Sequence, residues 1–163
     1  MDSWWQEVAN TLQAEFSDLP DAGAATRILL RLSVAALLGG VVGFEREQQG
    51  KSAGLRTHML VALGAAMFVL IPQQAGVSPG DLTRVLQGLV AGVGFLGAGT
   101  IMKGHGEEEV TGLTTAAGIW LTAAIGVAAG MGRESTAVLS TLLALVILTV
   151  IPKCAGLFEH RRN

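Results

Sequence analysis

The chain has 163 residues, half of them hydrophobic and 15 % charged, with 22 glycines, a mean hydropathy of +0.51 and a net charge of −2. A water-soluble domain of this length needs a far more charged surface, so the balance excludes an ordinary soluble globule and points to an all-α integral membrane protein. The charge leaves no basic footprint for nucleic acid, and the single cysteine, Cys154, excludes an internal disulfide.

Residues 1–25 carry Asp2, Glu7, Glu15, Asp18 and Asp21 and no Lys or Arg. A signal peptide needs a basic start and an apolar core, so this segment is not expected to be one. Ser3-Trp4-Trp5-Gln6 has the form of a capping box, and Trp4, Trp5, Val8, Leu12 and Phe16 recur at helical spacing. The pattern predicts a short amphipathic helix lying in the membrane interface, its tryptophans at headgroup level.

Residues 26–152 are predicted to form a bundle of about five transmembrane helices. The apolar segments run from about Thr26 to Phe44, Thr57 to Ile71, Leu82 to Met102, Val110 to Met131 and Thr136 to Ile151. Pro72 and Pro152 each stand just past a predicted helix end, where a missing donor costs little. The second segment is short: Met59 to Ile71 falls below the roughly 17 residues of a usual span, which puts Arg56, His58 and Gln73 at the interfaces.

Five crossings place the termini on opposite sides. Arg46, Lys51, Arg56, Lys103, Lys153, Arg161 and Arg162 then share one face, against Arg27, Arg31, Arg84 and Arg133 on the other. The excess puts residues 153–163, a short basic tail, in the cytoplasm and the acidic N-terminus outside.

The third segment holds the densest glycine run, from Gln87 to Met102. Gly88, Gly92 and Gly99 share one helical face, while Gly94 and Gly97 fall on others, so this helix is expected at the centre of the bundle, approached from several sides. Gly92-Val-Gly94-Phe-Leu-Gly97 also spells a dinucleotide fingerprint, but no strand precedes it and no cofactor site is expected there. Trp120, near the middle of the fourth segment, is expected to pack inside the bundle. Gln87, Thr100, Thr114 and Thr122 are expected to hydrogen-bond between helices.

Ala53 to Ala66 aligns with Thr111 to Ala124, sharing Gly54/Gly112, Leu55/Leu113, Thr57/Thr115 and Leu63/Leu121, and Gly43-Phe44 recurs upstream as Gly94-Phe95. A helical-hairpin repeat would run the second and fourth segments parallel. Each would then begin Gly-Leu-x-Thr, with Thr57 and Thr115 as N-terminal caps and the helix starts aimed at the cytoplasm.

Glu45, Arg46, Glu47, Arg56 and His58 gather at that same face, with Thr57, Thr114 and Thr115. One reading is a polar vestibule in which Glu45 and Glu47 hold a hydrated cation such as Mg²⁺ while Arg56 and the helix starts attract an anion. The other is an internal ion-pair network of Glu45, Arg46 and Arg56 that anchors the first hairpin. Glu107-Glu108-Glu109 reads as a solvated acidic loop, and His105 and His160 lack ligand-spaced partners. No nucleophile-and-base constellation points to an enzyme.

Four blocks carry a resemblance: Gly43-Phe-Glu-Arg-Glu47, Ala53-Gly-Leu-Arg-Thr-His58, Gly92-Val-Gly-Phe-Leu-Gly-Ala-Gly-Thr-Ile101 and Thr111-Gly-Leu-Thr-Thr-Ala-Ala-Gly-Ile-Trp120. In order and spacing they resemble the hallmark blocks of the bacterial MgtC/SapB membrane family, over about residues 28–150. The resemblance implies a multi-pass inner-membrane protein linked to growth in low Mg²⁺, virulence and membrane-energy homeostasis, and for the best-studied members inhibition of the ATP synthase. Those members carry a soluble cytoplasmic domain after the last span, where this sequence has about a dozen residues. Two functions follow as expectations. One is a regulatory module whose glycine faces contact another membrane complex, with ATP synthase membrane subunits the candidate, or a second copy of the chain. The alternative is a transporter or channel for Mg²⁺ or another small ion, with Glu45 and Glu47 at its inner mouth.

Overall fold

The computed structural model of the chain describes residues 2–17, 21–103 and 110–159. Helix α1 (Asp2–Glu15) is followed by α2 (Ala22–Gln48), α3 (Leu55–Gln74), α4 (Pro79–Ala98), a two-residue antiparallel ladder of β1 (Met102–Lys103) and β2 (Val110–Thr111), α5 (Leu113–Gly130) and α6 (Glu134–Glu159). Two compact units divide the chain, residues 1–30 and 31–163. In the first, α1 leaves Trp4, Trp5, Leu12 and Phe16 exposed, with the two indoles edge to face at 4.5 Å. Ser3 lies inside α1 and not ahead of it.

In the second unit the expected helices form, and it is an all-α membrane bundle. Helices α2, α3, α5 and α6 are long and apolar enough to cross a membrane. The weak segment is therefore not the second, as expected, but α4, diluted by Asp81, Arg84, Gln87 and near-neutral glycines. Geometry nevertheless makes α4 a return leg. Ala62 faces Gly126 and Ala66 faces Gly130, so α3 and α5 run parallel, while Gly97 at the end of α4 meets Ala116 near the start of α5. Twenty residues of α4 rise about 30 Å, the depth of a hydrocarbon core.

The prolines correct a second expectation. Pro72 lies inside α3 and Pro152 inside α6. Pro72 is tolerated because it stands in the last turn, where its missing donor removes one bond while its carbonyl still accepts from Val77 N–H at 3.0 Å.

The close-packed centre is the α3/α5 pair, not α4. A methyl added at Gly126 or Gly130 would lie 2.8 Å from the Cα of Ala62 or Ala66. Gly39 and Gly43 admit α3 against α2 in the same way, a methyl at Gly39 falling 2.6 Å from the His58 carbonyl. Around these contacts Ala35, Val42, Ala62, Ala66, Ile125, Ala129 and Ala137 form one buried cluster, and Ala53, Ala65, Val93, Ile119 and Ala123 a second. Small residues dominate because helices in lipid gain from close backbone approach more than from side-chain bulk. On α4, by contrast, methyls at Gly88, Gly92 and Gly94 would meet nothing within 4 Å, and Gly99 would touch only the carbonyls of its own last turn. Only Gly97 packs against a neighbouring helix, 3.5 Å from the Ala116 methyl. The glycine count pointed to α4, but a glycine draws a helix close only where the facing side chains are small as well. Trp120 is likewise half exposed instead of enclosed.

Candidate functional site

At the end where α2 finishes and α3, α5 begin, sequence-adjacent charges are sorted by what each can reach. Glu45 and Arg46 are buried, at 9 % and 3 % exposure, and neutralise one another: Nη2 of Arg46 donates to Oε1 of Glu45 at 2.7 Å and Nε donates to Oε2. A buried pair of this kind survives in apolar surroundings because each charge is matched and hydrogen-bonded. Glu47, one residue on and exposed, turns instead to α3 and accepts the Leu55 N–H at 2.8 Å. Gly50 permits this turn: with φ at +65° it closes α2, its N–H donating to the Glu47 carbonyl and that of Lys51 to the Arg46 carbonyl, both at 3.0 Å.

The caps differ from the expected threonines. Helices α3 and α5 start at Leu55 and Leu113, with Gly54 and Gly112 at the cap positions, neither offering a side-chain bond, so Thr57 and Thr115 fall within the first turn. Gly112 sits there because the backbone is left-handed, φ +91°, and a Cβ would collide with the Thr100 carbonyl. The α3 start is closed from outside its own sequence, by Glu47.

The residues expected to share one vestibule separate into four settings. Arg46 and Thr114 line a cavity of about 580 Å³ together with Lys51 and Lys153. Thr57 lines another, of about 260 Å³, with Thr100 and Leu96. His58 and Thr115 are buried between helices. Arg56 is exposed and has no partner among the described residues, so it does not join the Glu45–Arg46 pair. His58 is wholly buried; its Nδ1 lies 3.0 Å from the Gly54 carbonyl, which can only accept, so Nδ1 carries the proton and Nε2 is left without a partner. Thr122 Oγ1 is also unpartnered, Thr100 bonds the carbonyl of Gly97 three residues before it, and Gln87 and Thr114 are exposed, so among the described residues none of the four expected polar residues links two helices.

The carboxylates do not fit a Mg²⁺ site. The ion needs several oxygen ligands in near-octahedral array, whereas Glu45 is taken by Arg46 and Glu47 by a backbone donor. Among the described residues no three His, Cys, Asp or Glu side chains gather. His105, Glu107–Glu109 and His160 lie outside the described residues, as do Asp18, Arg161 and Arg162.

Sequence reasoning missed Lys51 and Lys153 as neighbours in one cavity and Arg31 as a clamp at the opposite end. Arg31 donates to the Gly130 carbonyl at 3.1 Å and to Gln73 Oε1 at 3.4 Å, with Glu134 at 4.0 Å. Only their sorting by face was legible in the sequence, Lys51 and Lys153 on one side of the membrane and Arg31 on the other.

The MgtC family profile matches residues 32–157. The chain belongs to the MgtC family. Among curated MgtC-family relatives it is 44 % identical to Protein SrpB of Synechococcus elongatus, over 73 % of this chain and 71 % of that protein. It is 38 % identical to the Putative magnesium transporter YhiD of Escherichia coli, over 75 % of this chain and 59 % of that one. It is 44 % identical to Protein MgtC of Salmonella typhimurium, over 72 % of this chain and 49 % of that one. It thus spans about half the length of Salmonella MgtC. No solved structure matches the chain. The four MgtC blocks fall on the buried pair and cap at the end of α2, the start of α3 with His58, the end of α4, and the start of α5.

Proposed function

We propose that this protein is a non-enzymatic regulator of Mg²⁺-linked and membrane-energy homeostasis that acts by helix contact with another membrane complex. The ATP synthase membrane sector is the candidate that family membership suggests. One observation carries the reading. Three helices hold glycines four residues apart, Gly39/Gly43, Gly88/Gly92 and Gly126/Gly130; the first and third pairs are filled by the protein's own α3, while the second is open. On a different face of α4, the one turned to α5, Leu86, Leu89, Val90 and Val93 form with half-exposed Trp120 and Val127 an apolar groove of about 210 Å³. Glycines at this spacing accept a second helix at short range.

The orientation we propose sets the end of α2, the starts of α3 and α5 and the tail in the cytoplasm, across the inner membrane, with the N-terminus outside. Arg31 supports it: bound to Gly130, Gln73 and Glu134, it is spent inside the fold and leaves fewer free cations on the outer face.

Affinity purification from native membranes tests the contact. Wild-type protein should bring down ATP synthase membrane subunits, and Gly88→Leu with Gly92→Leu should lose them at unchanged yield. Recovery of the same subunits with the double variant would reject the α4 face, and recovery of none with the wild type would reject the partner.

A further inference from the structure

The 580 Å³ cavity has a composition that neither reading of the function uses. Three of its lining residues are cations: Arg46 from the end of α2, Lys51 from the turn after it, and Lys153 from α6. Glu45 engages Nε and Nη2 of Arg46, and Nη1 has no partner among the described residues, although the residue is 97 % buried. Thr114 adds a hydroxyl from the first turn of α5, a helix whose cap residue, Gly112, brings no side-chain bond to its start. That first turn carries a partial positive charge. The cavity therefore gathers two ammonium groups and one guanidinium nitrogen without partners among the described residues, together with a helix start; no carboxylate is among its lining residues, and Glu45 is already paired to Arg46.

The α6 part of the lining is mostly apolar. Ile147, Leu148 and Pro152 contribute to it beside Thr149, at the end of the α6 stretch that is apolar enough to span, Glu134–Lys153. Ile147 continues onto an exposed face with Val150 and Ile151. A lining that joins cations to apolar side chains at the boundary of a span matches a phosphate ester carrying acyl chains. A free phosphate would use the cations and leave Ile147, Leu148 and Pro152 wet.

We infer that this cavity binds the phosphate of an anionic phospholipid, with Arg46, Lys51 and Lys153 around the headgroup and an acyl chain along α6. Basic pockets between membrane helices hold anionic headgroups by this chemistry.

The full chain, purified in mild detergent and stripped of lipid, can be titrated with phosphatidylglycerol, with phosphatidylcholine and with inorganic phosphate, and bound species counted by native mass spectrometry. Phosphatidylglycerol should bind with one tight site and phosphatidylcholine without it. Lys51→Gln and Lys153→Gln should each weaken that site by about fivefold, the effect of one cation near an anionic headgroup. Arg56→Gln, which removes an exposed cation outside the cavity, should leave it unchanged. Both lysines are exposed, so neither variant is expected to disturb folding. Equal binding of the two lipids, or equal weakening by Arg56→Gln, would overturn the inference. Displacement of phosphatidylglycerol by millimolar inorganic phosphate, with phosphate held as well by the lipid-free protein, would reassign the cavity to a soluble anion and reject the lipid.

Discussion

Glu47, in the last turn of α2, accepts the backbone N–H of Leu55, the first residue of α3, at 2.8 Å. A carboxylate at a helix start satisfies an orphan donor and meets the positive end of the dipole. Glu47→Ala should therefore lower stability in detergent by about 1 kcal/mol, the usual worth of a cap. Glu47→Gln keeps an acceptor and should lose less. Equal denaturation midpoints for wild type and Glu47→Ala would show that the cap contributes nothing.

The neighbouring pair behaves differently because it is buried. Removing one partner leaves the other charged in apolar surroundings, so Glu45→Gln or Arg46→Met should each cost about 3–5 kcal/mol. Changing both at once should cost less than the sum of the two. An additive double variant in the same unfolding assay would mean the two side chains do not interact.

At the other end Arg31 ties α2 to the ends of α3 and α5, through Gln73 and the Gly130 carbonyl. Arg31→Gln should lower the melting temperature, whereas Arg133→Gln, an exposed residue with no side-chain bond among the described residues, should not. Equal melting temperatures for the two variants would remove the clamp.

Because Glu45 and Glu47 are both engaged by the protein itself, protein reconstituted in liposomes should carry no Mg²⁺ above background. A saturable flux that Glu45→Gln abolishes would support the channel reading instead.

The helices were legible in the sequence to within about four residues, since apolar runs of this length have few alternatives in a bilayer, except that α6 runs to Glu159 where its end was expected at Ile151. Their partnerships were not. The two halves of the pattern, Gly126 with Gly130 on α5 and Ala62 with Ala66 on α3, stand about sixty residues apart, and neither half names the other. The same holds for the cationic cavity, where Lys51 and Lys153 converge only after α6 folds back. The Gly-Leu-x-Thr starts were visible, yet the cap proved to be a carboxylate from the preceding helix, because Thr57 and Thr115 lie within the first turn. Pro72 marked a helix end only loosely, for a helix near its terminus loses one bond and continues, while α6 runs on for seven residues past Pro152.

The comparison of Gly126→Leu with Gly92→Leu tests most directly whether α3 and α5 form the centre and α4 keeps a free glycine face. Purified in parallel, Gly126→Leu should fail to give monodisperse protein, since even a methyl there would meet the Ala62 backbone. Gly92→Leu should give wild-type yield and stability, since its side chain would enter open space. Loss of folded protein for Gly92→Leu with Gly126→Leu intact would contradict the account.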